Sequence, residues 1–227
     1  MSHVLLAIDT ATSAVTAAVH DGTRTLASES VPDARRHAET LTPTIDSVMA
    51  HAGLTPQDLD AVAVGVGPGP FTGLRVGIVT ATTLGLALGI PVHAVCSLDA
   101  IAHQIATQAG YGGHGEFLVA TDARRKEVYW ARYTVQAGAV VRHGEPAVSV
   151  PAELDPALRA LPAAGRGPLL YPAEFGPVVP VADVDAGALA GLVVHRLEHG
   201  GELLPPTPLY LRQPDAQPSA KQKSVLP

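Results

Sequence analysis

Two aspartates close apolar runs in this chain, Asp9 at the end of Val4–Asp9 and Asp122 at the end of Phe117–Asp122. A carboxylate at a strand end can bridge to a metal, or it can serve only as a turn former through bonds to nearby backbone. Between them lies Ala61-Val-Ala-Val-Gly-Val-Gly-Pro-Gly-Pro-Phe-Thr-Gly-Leu-Arg-Val-Gly77, a β-branched run that passes through Gly67-Pro68-Gly69-Pro70 into a helix. A glycine turn feeding a helix can hold a phosphate on the free helix N–H groups. It can equally be no more than a tight β-to-α connection. Asp9, Thr10, Gly67, Gly69 and Asp122 are therefore expected to form a phosphate loop that is vestigial. The second half has no glycine motif able to hold adenosine, Gly165-Arg166-Gly167 being too slight.

Two further groupings carry chemistry on paper. His195-Arg-Leu-Glu-His199 matches H-x-x-E-H, an inverted zinc-protease pattern, and would make a metal-dependent hydrolase or peptidase from His195, Glu198 and His199. The helix stops at Gly200-Gly201, however, and histidines in a last turn are favourable for the helix dipole alone. Asp122-Ala-Arg-Arg-Lys-Glu-Val-Tyr-Trp-Ala-Arg132 joins a run of charges to the single tryptophan, and suits either an RNA or partner contact or a solvated hairpin tip. Cys96, the one cysteine, has no histidine or acid at a nucleophile spacing and reads as structural.

The elements that must position these groups follow from periodicity. Val4–Asp9, Ala14–His20 and Thr23–Ser30 read as strands, with Asp21-Gly22 a hairpin signal. A helix from His37 to Ala52 puts Leu41, Ile45, Val48 and Met49 on one face, with Thr40, Thr44, Ser47 and His51 beside it and Pro43 a bend or a later start. Ala61–Val66 is a strand, Thr72 caps a helix to Leu88, Val92–Cys96 is a strand and Ser97 caps a helix to Gln108. In the Leu88 helix, Gly73, Gly77, Ala81, Gly85 and Gly89 form a small-residue ridge, while Val76, Val79, Thr82, Thr83 and Leu86 lie opposite with Arg75 as the only charge. A helix apolar nearly all round is covered on both sides, here by the sheet and by a second protein.

After the glycine-rich break Gly110–Gly115 the opening theme returns in Phe117–Asp122, Glu127–Thr134 and Ala139–Val150. The second copy then decays into a weak helix at Ala152–Leu161, a short strand at Leu169–Tyr171, a helix from Asp185 to His199 and a short strand at Leu209–Leu211. Two such units imply an α/β chain with the duplicated ribonuclease-H-like fold of actin, Hsp70 and the sugar kinases, its second half reduced. The expected division is 1–109, 110–212 and a flexible tail, 213–227. A small ATP-dependent kinase is a third functional reading on that fold.

Composition narrows the classes. A formal net charge of −6 over 227 residues argues against an autonomous nucleic-acid binder but leaves room for a local basic patch. One cysteine and no basic n-region fit a reducing cytoplasm, and the uncharged stretch Val76–Leu98 reads as helix then strand, not as a membrane span.

Asp9-Thr-Ala-Thr, Gly67-Pro-Gly-Pro-Phe-Thr-Gly-Leu-Arg-Val-Gly77, Asp122-Ala-Arg-Arg-Lys-Glu-Val-Tyr-Trp-Ala131 and Pro208-Leu-Tyr-Leu-Arg212 together resemble the TsaB (YeaZ) family, in order over nearly the whole chain. The family's usual serine after the second loop glycine is Pro70 here. The resemblance implies a non-catalytic, cofactor-free and metal-free partner of the transferase TsaD in making threonylcarbamoyladenosine in tRNA. That paralogue carries a histidine pair after the strand equivalent to Val92–Cys96, where this chain has Cys96-Ser-Leu-Asp-Ala-Ile101. It also implies a heterodimer through the first two helices, expected at Thr44, Ser47, Val48, Arg75, Val79, Thr82, Thr83 and Leu86 with His37 and Thr40 at the rim. Docking of the ATPase TsaE, tRNA contact through the complex and a homodimer when TsaD is absent complete the expectation.

Overall fold

The computed structural model describes residues 4–32, 36–107, 115–136 and 139–212. Five strands make the first sheet: β1 (Leu5–Asp9), β2 (Ala14–His20), β3 (Thr25–Pro32), β4 (Ala61–Gly65) and β5 (Val92–Val95), in the order β3-β2-β1-β4-β5. β1, β2 and β3 pair antiparallel, whereas β4 lies parallel to both β1 and β5. The second sheet repeats the scheme with β6 (Glu116–Asp122), β7 (Val128–Gln136), β8 (Ala139–Ser149) and β9 (Ala163–Ala164) in the order β8-β7-β6-β9. Its first three strands are again antiparallel, with β9 parallel to β6. The same strand order in both halves is the ribonuclease-H-like fold, duplicated, with the second copy reduced.

Period-two alternation decides the layers. Leu6 and Ile8 of β1 and Val62 and Val64 of β4 point to one face, where α1 (His37–Ala52) and α2 (Phe71–Leu88) cover them with Leu41, Ile45, Leu74 and Ile78. Leu5, Ala7, Ala61 and Ala63 point to the other face. There α3 (Ser97–Thr107) contributes Leu98, Ile101 and Ile105, and the C-terminal helix (Ala186–His199) contributes Leu189 and Val193. Phe117, Val119, Ala131 and Tyr133 of the second sheet close the same core. Two helices are thus sandwiched between the sheets, and β1, buried along its whole length, runs through the middle.

Several local expectations are corrected. α2 starts at Phe71 after Pro70, with no side-chain cap from Thr72, because proline already sets the entry dihedral. α1 runs unbroken through Pro43, which sits in its second turn on the exposed side. The segment read as one helix, Ala152–Leu161, divides into a 3-10 turn at Pro151–Glu153 and α4 (Pro156–Arg159), each begun by a proline. Leu169–Tyr171 is not a strand: α5 (Gly167–Leu170) occupies it, a short apolar run being ambiguous between the two states. The Ala186–His199 helix is accordingly α6. Leu209–Leu211 forms no strand either, although Leu209 N–H donates to Val66 O at 2.8 Å and Leu204 bridges Ala94 antiparallel. The Gly110–Gly115 break, except for Gly115, and the 213–227 tail lie outside the described residues.

Candidate functional site

The glycine loop and the turn after β1 meet behind the first sheet's C-terminal edge. Asp9 is fully buried: Ala11 N–H donates to its Oδ1 at 2.8 Å, and the Ser97 hydroxyl donates to Oδ2 at 2.6 Å. The same hydroxyl accepts from Gly67 N–H at 3.0 Å, while Gly67 O accepts from Ser97 N–H at 2.8 Å. One carboxylate therefore ties β1 to the loop and to the start of α3. Burial raises the Asp9 carboxyl to about 6, with the Ser97 and Ala11 bonds pulling downward and the charge of Asp183 adding to the rise.

Thr10 is equally enclosed. Its hydroxyl donates to Gly73 O at 2.7 Å and accepts from Gly77 N–H at 3.1 Å, so it is wedged into the first turns of α2. A Cβ at Gly77 would overlap that hydroxyl, and a Cβ at Gly69 would overlap Ala11 O. The first part of the small-residue ridge thus has a cause: the β1–β2 turn, through Thr10 and Ala11, fills the space that side chains at Gly69, Gly73 and Gly77 would need. Asp122 is half-buried and holds Arg124, accepting from its N–H at 2.7 Å and its Nη1 at 3.1 Å. It lines a crevice between the halves with Pro70, Arg124 and Arg166, and that space of about 10 Å³ is the size of a single water. Arg166 is itself forked onto Asp183, at 2.8 Å from Nε and 2.6 Å from Nη2.

The outer face of α2 is different in kind. Leu86 is 85% exposed and Val79 60%, with Arg75 and Thr83 also exposed on that side. Thr82 is half-buried, its hydroxyl returned to Ile78 O at 2.8 Å. By length and composition alone α2 could cross a membrane, yet Gly73, Gly77, Ala81 and Gly85 are sealed against the sheet. On α1 only Ser47 of the expected interface residues retains surface, its Oγ 3.4 Å from His51 Nδ1. Thr44 and Val48 are both buried in the single chain, because they follow Leu41 by three and seven residues and so share its core-facing stripe. His37 is also buried, 3.4 Å from Thr12 O, not at a rim, and Thr40 is half-buried.

The sequence reading missed a C-terminal strap. From the Leu204 bridge and the Leu209 bond it reaches the start of α2, where the Tyr210 ring stacks on Phe71 with centroids 5.1 Å apart. Arg75 lies 3.7 Å over the Phe71 ring and donates from Nε to the Tyr210 hydroxyl at 3.0 Å. Arg212 then crosses to the second half, donating to Ala123 O at 3.2 Å and pairing with Glu127. The only signal available was the Pro208-Leu-Tyr-Leu-Arg212 run, which carries no periodicity.

The H-x-x-E-H pattern does not assemble. The His195 and His199 rings stack at 4.4 Å with planes 20° apart, and His199 Nδ1 sits 2.9 Å from His195 O. Glu198 lines a separate groove with Asp21 and Asp60. Among the described residues no group of three metal-ligating side chains converges. What the helix face does build is a charge cluster in which Asp99 accepts from Tyr133 at 2.8 Å, Arg142 at 2.9 Å and Arg196 at 2.7 Å. Nearby, burial lowers His103 to about 4, aided by His195 and Arg196. Cys96 is enclosed at the β5–α3 junction, and burial pushes its thiol up to about 12.

The sequence model of the family described as "TsaD: tRNA N6-adenosine threonylcarbamoyltransferase" matches residues 30–174. An uncharacterized protein of Mycobacterium leprae is 48% identical over 220 residues, 95% of this chain and 56% of that protein. The tRNA threonylcarbamoyladenosine biosynthesis protein TsaB of Escherichia coli is 39% identical over 132 residues, 57% of this chain and 54% of its own length. These matches span about half the length of either relative. Among solved structures, YeaZ from Pseudomonas aeruginosa superposes with a TM-score of 0.78 at 31% identity, covering 92% of this chain and all of its own. The threonylcarbamoyltransferase-type sequence in the middle, the likeness to TsaB and the YeaZ fold along nearly the full length place this chain in the TsaB (YeaZ) family.

Proposed function

We propose that this protein is a non-catalytic subunit in the formation of threonylcarbamoyladenosine in tRNA, pairing with a TsaD-like transferase in the cytoplasm. The observation that carries the reading is α2, whose glycine side is locked onto the sheet while Val79, Thr83 and Leu86 stay open on the other side, with Arg75 exposed beside them and tied to Tyr210. Such a face gains by being covered, about 25 cal/mol per Å² of apolar surface. Ser47 of α1 and the edge of Thr82 extend it. The partner offers the matching helix pair, and the same face joins two copies of this chain when the transferase is missing.

The absence of catalysis is supported by the filled loop. Asp9 and Thr10 are enclosed, Gly69 is against Ala11, and the crevice by Asp122 holds no more than a water. The chain then acts through its partner: covering the transferase's apolar helices favours one conformer of it, by as much as the difference in affinity between conformers. The paired surface helps dock a TsaE-like ATPase, and tRNA is engaged by the assembly. The test is size-exclusion chromatography with light scattering, mixing the chain with the TsaD-like protein of the same organism. Co-elution together with tRNA-modifying activity only when both are present is the expected result, and separate peaks overturn it.

A further inference from the structure

The turn between β6 and β7 places Arg124, Arg125 and Lys126 in succession at φ of 61°, 53° and 63°, all exposed. This left-handed region favours glycine and asparagine, since an L-residue's Cβ crowds the next carbonyl there. Three long cations are kept instead, and a conformation this unfavourable points to what the side chains do. The turn is braced by Glu127 N–H donating to Arg124 O at 3.0 Å and by Ala123 N–H donating to Glu127 O at 3.0 Å.

The neighbouring cations are matched by acids, Arg124 by Asp122, Arg166 by Asp183 and Arg212 by Glu127, so the excess of positive charge lies at the tip of the turn. Arg124 and Arg166 line one crevice with Pro70, the residue that opens α2. Arg212 fastens the strap to the underside of the turn through Ala123 and Glu127. Two residues back along that strap stands Tyr210, 38% exposed and steadied by Phe71 and Arg75. Exposed cations on a turn, tied through Arg212 to a strap that carries an exposed and braced aromatic ring, are the two parts of a surface that follows a phosphate backbone and stacks an unpaired base. This occurs in a chain whose formal net charge is −6, so the positive field is local.

We propose that the β6–β7 turn and Tyr210 form a direct contact for an unpaired stretch of RNA, with Arg124 and Lys126 on phosphates and Tyr210 stacked on a base. This rests on the reading of the chain as part of tRNA-modifying machinery, and names the part of the chain that would touch the nucleic acid. An acidic protein partner would use the cations but would have no need of the ring.

The experiment is fluorescence anisotropy on the full chain at low salt, with a labelled unstructured RNA of about ten nucleotides and a paired RNA duplex of equal charge. The single strand is expected to bind more tightly than the duplex. Arg124→Glu with Lys126→Glu should weaken both RNAs by about tenfold or more and lower the slope of log affinity against log salt by roughly one for each lost phosphate contact. Tyr210→Ala should weaken the single strand alone, about tenfold, with its salt slope unchanged. Failure of the wild-type chain to bind RNA, or equal affinity across all variants, overturns the inference. So does a charge-reversal variant that keeps RNA affinity but no longer co-elutes with the transferase, which would make the turn a protein contact. Intact RNA results with no co-elution of the wild-type chain would leave this contact standing and remove the heterodimer.

Discussion

A buried carboxylate raised to about 6 makes Asp9 a proton-linked structural residue. Its folded value lies above the ordinary 3.8, so the folded state binds a proton more readily than the unfolded chain between those values. The stability Asp9 contributes is complete below about pH 4 and is lost as pH rises through about 6, with a slope approaching ~1.4 kcal/mol per pH unit. Asp9→Asn keeps the shape without the titration, and the difference in urea-unfolding free energy between pH 5 and pH 7 should shrink accordingly. A second residue-scale expectation concerns Gly77, whose Cβ position is taken by the Thr10 hydroxyl. Gly77→Ala gains about 1 kcal/mol of helix propensity but overpacks a fixed contact at ~1–3 kcal/mol. A net loss is expected on thermal or chemical unfolding, whereas Thr83→Ala on the open face should stay within about 0.5 kcal/mol.

At the scale of elements, α2 has two duties that its sequence separates by face. The ridge Gly73, Gly77, Ala81 and Gly85 lets it sit close to the sheet, and the opposite stripe stays uncovered. Val79→Glu puts a charge in the middle of that stripe at a position already 60% exposed, so the monomer's stability should hardly move. Light scattering should then show loss of pairing with the transferase at unchanged melting temperature. Continued co-elution would place the interface elsewhere. This division was legible beforehand because glycines at every fourth residue can only mean close approach along one side. On α1, polarity does not entail exposure: Thr44 satisfies its hydroxyl on Thr40 O at 2.8 Å and so is tolerated inside. Val48 falls in the same stripe by its spacing from Leu41.

For the whole molecule, the duplication was readable because each strand-one run ends on an aspartate and is followed by two alternating strands, and the sheets indeed repeat one strand order. What could not be read was how the halves are tied. The strap between Leu204 and Arg212 has no hydrophobic period, and its bonds go to Ala94, Val66, Ala123 and Glu127, all distant in sequence. Nothing local in Pro208-Leu-Tyr-Leu-Arg212 encodes those partners. Arg212→Ala should therefore release the strap without unfolding the molecule. Hydrogen exchange at the Leu204 and Leu209 amides is expected to quicken, while global stability falls by no more than about 1 kcal/mol, as for a partly exposed ion pair. Unchanged exchange at both amides would show that the strap is held without Arg212.

The enclosure of Cys96 has a practical consequence. The chain's one thiol is out of reach of reagents in the closed fold and is held far from its reactive thiolate form. In effect the native protein already behaves as a cysteine-free background for site-specific labelling. A cysteine introduced at Leu86 would carry a dye alone, on the face assigned to the partner. Cys96 itself would take up reagent only when the junction of β5 and α3 opens, which makes its modification rate a clock for breathing of the central layer.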